Sequence, residues 1–170
     1  MFLALVLSML PLPGLGVVPA HPPEVTARHT RFGMEGQAWE ITLGPAGRLW
    51  LKRPLAGDQL SSIRTLDPEV SRGLEATLRE SRFCGLDEQY GRVVMDGPER
   101  RMSVRCGDTV KTVTLFTFDP KEPLTESERS ESRRALRVWI AIRGLFDDPE
   151  AMDSRAEDRS LLEHALAPRP

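Results

Sequence analysis

Residues 101–118 read RMSVRCGDTVKTVTLFTF, and this stretch decides the fold. Met102, Val104 and Cys106 alternate with Ser103 and Arg105, the period of a half-buried strand. Gly107-Asp108 is a two-residue turn of the kind that joins tight antiparallel strands. Residues 109–118 return as the partner strand. With that turn, Cys106 pairs with Thr109, Val104 with Lys111 and Met102 with Val113. Met102, Val104, Cys106, Val113 and Leu115 then share one face. A slip of one residue would put Val110, Phe116 and Phe118 there instead, because side chains alternate strictly across a strand. The first register is favoured.

Working back from this hairpin, Asp67-Pro68-Glu69 is a helix start. Asp67 can accept from an orphan amide, and proline suits the first helical position. Val70, Leu74, Thr77 and Leu78 recur at helical spacing, and the helix is expected to end near Phe83 to Gly85, with Gly85 at positive φ. Cys84 therefore sits at a helix end and Cys106 on the core face of a strand. A helix laid across that face brings them together, so the spacing favours a Cys84–Cys106 disulfide over two buried thiols. Two cysteines allow a single connectivity.

Further upstream, Trp39, Ile41 and Leu43 alternate with Glu40 and Thr42. Gly44-Pro45-Ala46-Gly47 is a turn, and Leu49 and Leu51 face away from Trp50 and Lys52 on the return. Residues 61–66 form a third strand carrying Ile63. Residues 21–36, with Pro22, Pro23, Gly33 and Gly36, read as an extended lead-in. Downstream, Thr125-Glu126-Ser127-Glu128 is a capping box. Leu136, Trp139, Ile140, Arg143 and Phe146, with Ala135 and Ile142, give the following helix an apolar stripe. Residues 147–170 are polar and read as a tail, either with a short helix near residues 155–165 or disordered. The order β-β-β-α-β-β-α over residues 37–146 predicts one α+β domain. Its antiparallel sheet has about five strands, and both helices pack on one face.

Residues 1–20 read MFLALVLSMLPLPGLGVVPA. The apolar run Phe2 to Leu10 has the length of a signal-peptide core, and Val18-Pro19-Ala20 suits cleavage between Ala20 and His21. The segment lacks a basic n-region. Its prolines break the run short of the ~20 apolar residues a membrane span needs. The first cysteine is Cys84, so the leader has no lipid-attachment cysteine. Leader and cysteine pair together predict a secreted or periplasmic protein.

The net charge of −2 supplies no electrostatic case for nucleic acid or an anionic membrane. His21, His29 and His164 all fall in the expected tails, where a histidine is a solvated residue. Zinc-ligand spacing, a CxxC pair, a phosphate loop and a GxSxG elbow are all missing from the sequence, so neither a metal nor a cofactor is expected. Asp87, Glu88 and Asp96 could supply paired carboxylates, but acidic residues in a glycine-bearing loop read better as a solvated turn. No catalytic residue is assigned, and the chain reads as a non-enzyme. Trp39 and Trp50 suit packing in the core better than an exposed aromatic platform.

The order of elements, Leu66-Asp67-Pro68-Glu69, Ser81-Arg82-Phe83-Cys84-Gly85-Leu86, Asp96-Gly97, Met102 to Arg105, Lys111 to Leu115, and Leu136 with Trp139 resemble the emfourin-like proteins. Those are small bacterial inhibitors of thermolysin-like metalloproteases. The likeness covers about residues 38–143 and rests on core hydrophobics and turns. The turn Gly44–Gly47 only partly matches the family's glycine-rich turn, and many members lack an export signal and the cysteine pair. The resemblance implies a non-catalytic protein-binding domain, with a metalloprotease as partner. Gly44, Pro45, Ala46, Gly47, Asp87, Glu88 and Tyr90 are its candidate contact residues. The competing expectation is an accessory cell-envelope protein without inhibitory activity. The sequence leaves the oligomeric state open.

Overall fold

The computed structural model describes residues 24–31, 38–52, 60–94, 97–118 and 124–145. The leader, the Ala20–His21 junction, Asp96 and the segment 147–170 lie outside them. The described chain is α+β: a seven-stranded, mostly antiparallel open sheet with two helices packed against it. The strands are β1 (Val25–Arg31), β2 (Trp39–Leu43), β3 (Arg48–Lys52), β4 (Leu60–Thr65), β5 (Gln89–Tyr90), β6 (Pro98–Cys106) and β7 (Thr109–Leu115). The helices are α1 (Pro68–Glu80) and α2 (Glu126–Gly144). Among the described residues, no helix is long and apolar enough to cross a membrane.

The strand order is β4-β3-β2-β1-β6-β7-β5. The β6–β7 hairpin has the expected register, with Cys106 opposite Thr109, Val104 opposite Lys111 and Met102 opposite Val113. Two strands add to the expected five. The short β5 pairs parallel to β7. The other addition, β1, is larger in consequence, because residues 25–31 belong to the expected lead-in yet occupy the middle of the sheet. There β1 pairs antiparallel with both β2 and β6. Val25, Ala27 and His29 are buried and alternate with Thr26, Arg28 and Thr30. The pattern has period two, but alanine and histidine carry little hydrophobic signal, so it reads as polar chain.

His29 is therefore not a solvated tail residue. It is 3% exposed, lies 5.6 Å from Trp39 ring to ring, and stacks at an interplanar angle of 13°. Trp139 of α2 covers Trp39 at 5.3 Å. Three aromatic rings thus join β1, β2 and α2 at the centre of the core. Arg100, opposite His29 on β6, is also buried. Trp50 faces the other side of the sheet, half-buried against Gly44, where a Cβ would come within 2.5 Å of the indole.

Both helices begin as their caps dictate. The Asp67 carboxylate accepts from the Glu69 N–H at 2.7 Å. In α2 the Thr125 hydroxyl accepts from the Glu128 N–H, while the Glu128 carboxylate accepts from the Thr125 N–H. Hydrogen bonds from the Thr125 hydroxyl and backbone hold the Glu128 carboxyl below its ordinary range. Their contribution is present above that range and fades as the pH falls through the lowered value. The end of α1 departs from expectation. It stops at Glu80, and the left-handed residue is Arg82, not Gly85. The buried face of α1 is Ser71, Leu74 and Leu78, which turns Val70 outward.

A 3-10 turn, Phe83–Gly85, follows α1 and carries Cys84 to Cys106. The two cysteines form a disulfide with a Cα–Cα distance of 5.9 Å. It links the exit of α1 to the end of β6 across a separation of 22 residues. Closing such a loop in the unfolded chain stabilises the fold by roughly 3 kcal/mol in the chain-entropy treatment. The double variant C84A/C106A should therefore unfold at lower urea concentration by about that free energy, with the sheet's circular dichroism retained. A midpoint unchanged from wild type would show that the bridge adds nothing to stability.

Candidate functional site

The seven candidate contact residues fall into two groups that the fold keeps apart. The turn Gly44–Gly47 follows Leu43, whose row runs through Val25 and Val104 to Lys111. Tyr90 sits on the row of Trp39, His29, Arg100 and Leu115, at the other end of the strands. Strands β1, β6 and β7 also separate β2 from β5. At about 4.8 Å per strand that separation is roughly 19 Å. No single small surface includes both groups.

The first group is a tight turn. The Gly44 N–H donates to the Arg48 carbonyl, and Gly47 accepts from the Leu66 N–H at 2.8 Å. Ala46 and Gly47 have φ of 60° and 71°. They form one wall of a shallow cleft of about 300 Å³, closed by Thr65, Leu66 and the first half of α1. The cleft is mainly apolar-lined, with Arg72 and Glu75 at its rim.

The second group is built around Tyr90, whose body is buried while its hydroxyl meets two partners. It donates to Glu131 of α2 at 2.9 Å and accepts from the Asp87 N–H at 2.7 Å. Burial raises the phenol above its ordinary range, the Asp87 N–H pulls it back, and the Glu131 carboxylate adds to the rise. The backbone is held as well. Glu88 accepts from the Thr114 N–H at 2.8 Å, and Tyr90 accepts from the Phe116 N–H at 2.9 Å. Asp87 and Glu88 turn their side chains to solvent.

Beyond Tyr90 the chain stays anchored. The Arg92 N–H donates to the Thr117 carbonyl at 3.0 Å, and the Gly97 N–H donates to the Val94 carbonyl at 2.9 Å. Gly91, at φ 82°, lies so close to the β7 extension that a Cβ would be 2.9 Å from the Phe116 and Thr117 carbonyl oxygens. Between these anchors Val93 is 75% exposed and Val94 46%. The pair lies within loop 85–98, which the resemblance offers as a candidate contact surface. Its signal was visible as a valine pair in a loop bounded by Gly91 and Gly97. Among the described residues, no group of three or more histidine, cysteine or carboxylate side chains could hold a metal ion.

No protein-family model matches this chain, and no curated protein matches it.

Tyr90 is the only tyrosine. Replacing it with phenylalanine removes both hydroxyl contacts and should cost about 1–3 kcal/mol, read from the urea midpoint. Because its folded pKa is raised, its contribution is complete below the unfolded value near 10 and is lost as the pH rises beyond it. Wild-type stability should therefore fall in strong alkali with the appearance of tyrosinate absorbance. A Y90F protein as stable as wild type would contradict the anchoring role.

Proposed function

We propose that this chain is an exported, disulfide-clamped domain that acts by binding a protein partner, and that the partner class is a thermolysin-like metalloprotease. The carrying observation is the edge segment 86–94, which combines a Tyr90 clamp, backbone anchors and an exposed valine pair. Ordered exposed loops of this kind are where binding residues concentrate on a rigid scaffold. The Cys84–Cys106 bridge supports an oxidising compartment. The position of β1 supports the leader boundary too. Cleavage after Ala20 leaves the whole of Val25–Arg31 intact, whereas a cut only a few residues later would remove part of the central strand. The choice of a metalloprotease rests on the resemblance to emfourin-like inhibitors.

Expressed with its leader in a bacterium, the protein should be recovered outside the cytoplasm with His21 as its first residue and both cysteines oxidised. Added to thermolysin at micromolar concentration, it should slow peptide hydrolysis. Recovery in the cytoplasm with free thiols would remove the export reading, and unchanged hydrolysis would remove the protease reading.

A further inference from the structure

The face of the sheet turned away from the helices carries a pattern that packing does not account for. Thr112, Ser103, Thr26, Thr42 and Trp50 stand opposite one another on β7, β6, β1, β2 and β3, so a row of hydroxyls runs into an indole. The Ser103 and Thr112 hydroxyls are hydrogen-bonded at 2.9 Å. The Trp50 ring lies over Gly44 and is half-buried, which leaves part of it to solvent. The adjacent row is Lys52, Glu40, Arg28 and Arg101. Arg28 and Arg101 are both exposed and stand directly opposite each other at the centre of the sheet. Like charges placed so destabilise a strand pair. Glu99 meets Arg101 at 2.8 Å and Glu40 flanks Arg28 on its other side. Cations still outnumber carboxylates along this row, and the exposed Arg48 adds one more two residues from Trp50, in a chain whose net charge is −2.

We infer that this open face binds an acidic glycan, a polysaccharide that bears carboxylates at intervals along its chain. The guanidinium groups of Arg28 and Arg101 take one carboxylate between them, and its charge removes the repulsion that the free sheet carries. Trp50 offers its ring to the apolar face of a sugar. It stands two strands and two residues away from Arg28, roughly 12 Å, a span that an extended glycan bridges. Thr26 and Thr42 lie between, where their hydroxyls both donate to and accept from sugar hydroxyls. The charge pattern favours a glycan over a nucleic acid. Glu40 and Glu99 stand among the cations, so a strand with a phosphate at every residue meets carboxylates, whereas a chain charged at intervals passes them. The site lies apart from the edge segment 86–94 and does not depend on the protease reading.

The test titrates the chain from His21 to Pro170, by calorimetry at low ionic strength, with oligosaccharides of hyaluronan and of unsulfated chondroitin, which carry a carboxylate on alternate sugars. Dextran, an uncharged glycan, and single-stranded DNA serve as comparisons. At least one acidic glycan should bind, dextran should not, and DNA should bind more weakly. R28Q and R101Q should each weaken glycan binding about tenfold, the loss expected with a charge-assisted hydrogen bond. Their urea midpoints should equal or slightly exceed that of wild type, because each substitution removes the cross-strand repulsion. Arg137, exposed on α2, supplies the control R137Q, which should bind as wild type does. Binding of neither acidic glycan overturns the inference. Binding undiminished in both R28Q and R101Q overturns it by leaving the face merely solvated. Tighter binding of DNA than of either glycan overturns it by assigning the face to nucleic acid.

Discussion

The fold depends on the two-sided pairing of β1. Without it the described chain holds two separate pieces: the meander β2–β3–β4, and β6–β7 with β5 at its edge. Residues 25–31 fuse them, with β2 along one side and β6 along the other. The core follows from that fusion. Val25, Ala27 and His29 place one continuous apolar layer between Ile41 and Leu43 on β2 and Met102 and Val104 on β6. Trp139 closes over this layer, stacked on Trp39 and tilted against His29. An edge strand can be lost with local consequences, but a central strand supplies hydrogen bonds to both neighbours and cannot.

The two ends of the sheet differ because of how this centre is built. At the β4 edge, Arg64 donates to the Leu145 carbonyl, where the C-terminal end of α2 favours a cation. At the other edge, the chain leaving α1 is fixed by the disulfide and then by Tyr90 before it turns outward at Gly91. The chain leading into Val93 is thus held by the contacts of Tyr90 and Arg92 to α2 and to the strand beside it.

How much of this was legible depended on the strength of local patterns. The β6–β7 register was readable because a two-residue turn and the alternation Met102, Val104, Cys106 agree. The helix starts were readable because Asp67 and Thr125 carry their own capping chemistry. The disulfide followed from those placements. Strand β1 was not readable, because its buried face is valine, alanine and histidine, and its partner β6 lies far along the chain. Such long-range pairing leaves no mark in a local window. The two-residue β5 is too short to show a period, and the left-handed Arg82 takes a conformation that composition assigns to glycine. The candidate contact residues were legible as loops. Their distribution over opposite ends of the sheet was not, since it follows from the strand order.

Amide hydrogen exchange tests the central role of β1 most directly. If β1 is the strand that fuses the sheet, the amides of Thr26 to His29 exchange only through global unfolding, with the same protection as those of Met102 to Val104. Exchange of Thr26 to His29 at the rate of unstructured chain, while β6 and β7 stay protected, would contradict the account.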